Sequence, residues 1–204
     1  MATGDTDVSV VNQAILLLGS TEISSFDDGS EIAGLSEKIY PHVRDATLSM
    51  YPWSFAIKKV QLQRLAAAPL NEWRYAFQIP TDLITGGVRA VFTSSAVGAN
   101  TIRNFKISAD QLLTDETTIY VDYLSRPLEA EMPAYFVQLL VYQMSWHLAE
   151  PVTDQITKME AWRAIALGTP AENGRGGYLR QAMSIDAQGT PPRQIENFDI
   201  ADVR

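Results

Sequence analysis

The run Trp73-Arg-Tyr-Ala-Phe-Gln-Ile79 sets an apolar or aromatic side chain at every second position, the period of a strand with one face in a core. The same period recurs on both sides of it: Phe55 and Ile57 upstream, then Val88, Ala90 and Phe92, Ile102 and Ile107, and Ile119, Val121 and Tyr123. That pattern predicts about five strands. Turn residues separate them at Ala67-Ala-Pro-Leu-Asn71, Pro80-Thr-Asp82, Gly86-Gly87, residues 94–100 and Ser108-Ala-Asp110. Connections this short favour antiparallel pairing.

Helical spacing fills both flanks of this stretch. Val8, Val11, Ala14, Ile15 and Leu18 recur along one helix, with Thr6 or Asp7 as N-cap and Gly19 as its end. Ser30 caps a second helix through Ile32, Leu35, Ile39, Val43, Ala46 and Met50, which Pro41 is expected to kink near Tyr40 or split, and Pro52 to end. After Arg126-Pro127, Pro133 opens a helix carrying Phe136, Val137, Leu140, Met144, Trp146 and Leu148. Thr153 is expected to cap another, with Ile156, Met159, Ile165 and Leu167. Gly168-Thr-Pro and Gly174-Arg-Gly-Gly177 read as a flexible break before a short helix from Tyr178 to about Ala187.

The fold class implied is α+β: a helical bundle built from both ends of the chain, a small antiparallel β unit inserted in the middle, and an extended C-terminal arm. In residues this divides as 1–54 and 126–187 for the helical body, 55–125 for the β unit and 188–204 for the arm. The arm follows Gln188 through Pro191-Pro192 and has only scattered apolar residues, too few for a core. The helix at 133–149 is apolar almost all round, so it is central in a bundle or buried between subunits. A chain of 204 residues offers little bulk to cover it alone, which makes Phe136, Leu140 and Trp146 candidates for a subunit interface.

Composition narrows the function classes. The net charge is −8, distributed as −6 over residues 1–50, +4 over 51–110 and −6 over 111–204. Such a balance argues against tight nucleic-acid binding, which draws its affinity from Lys and Arg on phosphates. The absence of cysteine removes disulfides, thiolate metal sites and thiol nucleophiles, and fits a reducing compartment. Residues 1–7 lack the basic and apolar regions of a secretory signal, and no apolar run approaches a membrane span, so the expectation is a soluble chain made in the cytosol.

No catalytic constellation stands out. His42 and His147 belong to no H-E-x-x-H motif and read as surface and semi-buried packing. There is no G-x-S-x-G elbow, and Gly174-Arg-Gly-Gly177 matches neither a Walker A loop nor G-x-G-x-x-G. Asp27-Asp28 lies in Phe26-Asp-Asp-Gly-Ser30, which is turn chemistry. Lys58, Lys59, Arg64 and Arg74 near Trp73 and Tyr75 interleave basic and aromatic side chains, but alternation turns the aromatics toward a core. An acidic surface, an inserted sheet and a detachable arm suit an assembly component, with no cofactor and no metal, better than an enzyme.

Read in order, Val11-Asn-Gln-Ala-Ile-Leu-Leu-Leu-Gly19, Ile23-Ser-Ser25, Ile39-Tyr40, Arg44-Asp45, Leu48 and Pro52-Trp-Ser-Phe-Ala56 resemble the opening of the phage tail tubular protein A family. These are head-to-tail adaptors of short-tailed phages and related prophages. The similarity runs on through Leu62, Trp73-Arg-Tyr-Ala-Phe77, Ile79-Pro-Thr-Asp82, Val121-Asp-Tyr123, Met132-Pro-Ala-Tyr-Phe136, Leu148-Ala149 and Tyr178 to Ala187, nearly the full chain. Each piece is short; their order and spacing are the distinctive part. The break from Gly168 to Gly177 departs from the pattern, where the last helices are expected to follow closely.

The resemblance implies a homo-oligomeric ring, usually a dodecamer, beneath the portal at the capsid vertex, joining portal protein to tail tube or nozzle. Genome DNA passes through without specific binding. The protein would reside in the virion neck or tail, and in the host cytoplasm during assembly, with no membrane partner. The arm would dock on the portal, with Ile195, Phe198 and Ile200 as apolar anchors ordering on binding. Neighbouring readings are a neck stopper or other head-completion protein, a DNA-binding packaging factor, which the acidic balance disfavours, and a small hydrolase with a non-local site.

Overall fold

A computed structural model describes residues 5–96 and 98–189. The fold is α+β. Helix α1 (Asp7–Leu18) starts on the Thr6 hydroxyl, which accepts from the Ser9 N–H, and stops at Gly19 in the left-handed conformation. Helix α2 (Glu31–Ser49) starts on Ser30, whose hydroxyl accepts from the Ala33 N–H. It runs unbroken through Pro41, so of the kink or split expected there the split does not occur. Pro41 and Glu37, the residue whose carbonyl loses its usual partner, both lie on the exposed side of the helix, so water can satisfy that oxygen.

The middle of the chain forms two three-stranded antiparallel sheets. Strands β1 (Ile57–Gln61), β2 (Tyr75–Gln78), β3 (Leu83–Phe92), β4 (Lys106–Ser108), β5 (Gln111–Thr114) and β6 (Tyr120–Ser125) pair in the orders β1-β6-β3 and β2-β5-β4. Leu62, Val91, Val121 and Tyr123 from the first sheet region meet Phe77, Ile79 and Leu112 from the second in one apolar cluster. The segment after β1 ties the sheets together: the Leu65 N–H donates to Ala76 O (2.8 Å) and the Gln78 N–H to Gln63 O (3.2 Å).

Three strand expectations need correction. Gly86-Gly87 is no turn: both lie inside β3, where the register to β6 shifts between Leu83 and Val88. Gly86 has φ +78, and a Cβ on Gly87 would sit 2.7 Å from Ile84 O, so the bulge needs glycine at both positions. Strand β5 escapes a two-residue period because Leu112, Leu113 and Thr114 are all buried, on both faces of the sheet. Phe55 does not open a strand; it sits in a single 3-10 turn, Ser54–Ala56, and packs on the helical core, while β1 is an exposed edge.

Helices α3 (Ala134–Thr153), α4 (Ile156–Leu167) and α5 (Gly177–Gln188) complete the body. Thr153 does not cap α4; it ends α3, its hydroxyl bonded to Ala149 O at 2.6 Å, and Gln155 holds the N-cap position. Helix α3 is the axis, packed by α1, α2, α4 and α5. That packing overturns the interface reading of two residues: Phe136 and Leu140 are fully buried inside this one chain and present nothing to a second subunit. Trp146 is half-buried. The four flanking helices supply the cover that chain length alone was expected not to supply. Among the described residues no helix is long and apolar enough to cross a membrane. The arm residues Ile195, Phe198 and Ile200 lie outside the described residues.

Candidate functional site

Two polar clasps hold the place where the helical body meets the β unit. In the first, Arg126, just past β6, grips Asp45 of α2 with both Nε (2.9 Å) and a terminal guanidinium nitrogen (2.6 Å). Arg44 donates to Asp45 (3.2 Å) and to Glu129 (2.9 Å), and the Tyr40 hydroxyl donates to the same Glu129 oxygen at 3.1 Å. Burial pushes the Asp45 carboxyl up, but the Arg126 and Arg44 bonds and charges outweigh it and leave its pKa below the ordinary value.

In the second clasp, Asp186 near the end of α5 is buried and accepts four bonds. The Ser54 N–H reaches both carboxylate oxygens (3.2 and 3.0 Å), the Ser54 hydroxyl donates at 2.7 Å, and the Tyr135 hydroxyl at 2.6 Å. Burial, then the bond to Asp186, raises the Tyr135 pKa, so that hydroxyl stays a donor. Beside it, Trp53 is fully buried and edge-on to Phe136 with centroids 5.1 Å apart, and its Nε1 donates to Thr47 O. Helix α5 is thereby pinned to the chain at the entrance of the β unit.

The third feature is the corner between α4 and α5. Residues 168–177, expected to be a flexible break, form an ordered turn: Pro170–Glu172 is a 3-10 turn, and Glu172 accepts from the Thr169 N–H (2.8 Å) and hydroxyl (3.2 Å). The Gly176 N–H closes onto Leu167 O at 2.9 Å. Gly177 has φ +55, and a Cβ there would meet Gly168 N and Ile165 O at 2.6 Å, so the helices approach as closely as they do because no side chain stands between them. Above this corner lies an open groove of about 540 Å³ between α4 and α5. Tyr142 stands at its floor, stacked on Trp162 (5.8 Å) and edge-on to Tyr178 (5.2 Å), with Ala164, Ile165 and Arg180 on the walls.

The remaining residues singled out in the sequence do ordinary work. Asp28 accepts from the Ser24 and Ser30 N–H groups, which closes the turn, and the Ser30 side chain, then these N–H groups, hold its carboxyl below the ordinary value. His42 is exposed; His147 is half-buried against Trp146 (4.1 Å), and burial lowers its pKa. Three of the seven cations in residues 51–110 are engaged locally: Lys58 with Asp82, Lys59 with Asp122 and the Phe92 ring, Arg64 over the Tyr75 ring. Phe77 is buried and Trp73 half-buried. Among the described residues no group of three or more His, Asp or Glu side chains is placed to hold a metal ion.

Sequence reasoning missed the clasps because their partners are 51 to 132 residues apart, and nothing in the local pattern pairs them. It also passed over Leu16 and Leu17, which fall off the buried face of α1. The signal was present: two leucines outside the positions Val10, Val11, Ala14, Ile15 and Leu18 that satisfy the 3.6-residue period. Compared with models of known protein families and with curated protein sequences, the chain matches none.

Proposed function

We propose that this chain is a structural virion protein, a head-to-tail adaptor whose copies form a ring between a portal protein and a tail tube or nozzle. The observation that carries the reading is the order of the landmarks resembling the tail tubular protein A family. Residues drawn from four of those landmarks, Arg44-Asp45, Trp53, Tyr135-Phe136 and the Tyr178–Ala187 segment, converge on the junction between helical body and β unit. The matching pieces thus include residues the architecture depends on, which supports reading them as one pattern rather than as scattered coincidences.

In this reading the helical body, residues 1–54 and 126–187, builds the ring and meets the portal, the β unit 55–125 faces the next tail component, and the arm 188–204 docks on the portal through Ile195, Phe198 and Ile200. A charge of −8 per copy is multiplied around the ring, so acidic side chains facing the channel would repel phosphate and let DNA slide. The protein acts as a conduit, not a catalyst, and works in the virion neck.

Native mass spectrometry of the protein mixed with the portal protein encoded in the same genome tests this. A defined complex with about one copy per portal subunit is expected. Absence of binding at micromolar concentration overturns the adaptor assignment, and stable binding to another neck protein instead would move the chain to a head-completion role.

A further inference from the structure

We infer that copies of this chain associate head to tail, the Leu16-Leu17 edge of α1 on one copy entering the groove between α4 and α5 on the next. The inference rests on the ring reading and names the surfaces a ring would use. A closed ring of identical chains requires a heterologous interface, two different patches that fit one another rather than one patch that fits itself.

The first patch is on α1. Leu16 and Leu17 are 53% and 45% exposed, although they are adjacent and large. With Gln13, also exposed, they stand at i, i+3 and i+4 and so form one outward stripe, opposite the buried face of the helix. Single exposed leucines are common; an adjacent exposed pair beside a helix end is a knob in want of a socket. The second patch is the groove floored by Tyr142 and Tyr178 and walled by Ala164, Ile165 and Arg180, with Ile165 itself 44% exposed. Alanine on its outer wall leaves room for another helix to come close.

Charge selects a second copy as the occupant. From Asp5 to Glu37 the chain carries Asp5, Asp7, Glu22, Asp27, Asp28, Glu31 and Glu37 and no basic residue at all. The stretch that builds the groove is net positive instead: residues 156–180 hold Lys158, Arg163, Arg175 and Arg180 against Glu160 and Glu172, with Arg180 and Glu172 on the groove lining itself. Among the described residues Lys158, Arg175 and Arg180 have no acidic partner within the chain. An acidic segment bearing an apolar knob and an apolar groove set in a net positive stretch are complementary in sign. The two patches also lie on separate flanks of α3, since α1 and α4 each pack along α3 but not substantially on one another. One copy can therefore use both at once, as a chain of subunits demands.

The absence of native cysteine makes a direct test clean. The double variant Leu17→Cys/Ile165→Cys, oxidised free in solution and again in the portal-bound complex, is expected to give a ladder of disulfide-linked oligomers. Each single cysteine variant can go no further than a dimer, and the pair Leu17→Cys/Leu70→Cys, whose second thiol is on a fully exposed loop, should ladder far more slowly than Leu17→Cys/Ile165→Cys. Leu17→Arg and Ile165→Arg should each weaken self-association roughly thirtyfold or more. Mixed together they should give a heterodimer and nothing larger, because one intact knob and one intact groove remain. Both positions are exposed, so circular dichroism spectra and melting points matching wild type are expected.

Rings without a ladder would overturn this pair of surfaces and leave the adaptor reading standing. No ladder and no assembly of any kind, with or without the portal, would remove both. A ladder without portal binding would sustain the head-to-tail contact and sink the adaptor reading. Loss of assembly with Leu17→Arg but not with Ile165→Arg would show a symmetric α1 contact and overturn the proposal.

Discussion

Helices α3 and α4 follow one another with only Asp154 and Gln155 between them, yet they live in different environments. Ten of the twenty residues of α3 are buried, from Phe136 to Ala149; of the twelve in α4 only Ala166 and Leu167 are. Helix α3 is enclosed by α1, α2, α4 and α5, whereas α4 rests mainly on α3 and α5 and turns Ala161, Ala164 and Ile165 outward. The first helix holds the body together. The second leaves apolar side chains exposed to solvent, and that difference separates what stabilises this protein from what lies on its surface.

The comparison breaks most visibly under large-to-small substitution. Phe136→Ala should cost about 3–5 kcal/mol in urea unfolding, the range for a fully buried aromatic, while Ile165→Ala should stay within about 0.5 kcal/mol. Similar losses at the two sites would mean that α4 is not the surface helix described. Next in size, Asp186→Ala should cost about 2–3 kcal/mol, because it orphans the Ser54 and Tyr135 donors, against about 1 kcal/mol for Tyr135→Phe. The ratio measures how far the clasp, rather than apolar contact, fixes α5.

The corner gives a third contrast. Gly177→Ala meets both an unfavourable φ and backbone atoms at 2.6 Å, whereas Gly174→Ala has φ +69 and open space. The second should cost about 1 kcal/mol from the left-handed conformation alone and the first distinctly more, read as the difference in midpoint denaturant concentration. Equal effects would show that the helices can move apart without penalty.

The smallest effect is on pH. Burial holds the folded pKa of His147 on α3 below 6.5. As pH falls through 6.5 the unfolded chain takes up a proton that the folded chain does not, so stability declines until the folded pKa is reached. Melting temperature should fall more steeply between about pH 7 and pH 5 in wild type than in His147→Gln, and unchanged slopes would place His147 in water.

Much of this fold is legible in local chemistry. Thr6, Gly19 and Ser30 mark helix ends because each satisfies backbone groups within a few residues of itself. Strand β6 shows its alternation from Tyr120 to Tyr123 because Val121 and Tyr123 are buried in the β core while Tyr120 and Asp122 are only partly covered. Pro41 alone does not decide whether α2 splits, since its cost depends on whether the freed carbonyl faces water, and that depends on which side of α2 the core lies. Gly86-Gly87 misleads, because a pair of glycines serves a turn or a bulge equally well until the partner strand is known. The candidate site was the least legible part: its residues meet only after the helical ends of the chain close on each other.

Caps, periods, the break between helical and two-residue spacing, and the acidic balance of the N-terminal third depend on neighbours a few residues away, so the amino-acid order alone determined them. Which apolar helix became the axis, which leucines stayed in water, and where Asp45 and Asp186 found their partners depended on contacts between distant segments. Only the tertiary structure decided those, because burial and charge pairing are properties of surfaces that the chain creates by folding.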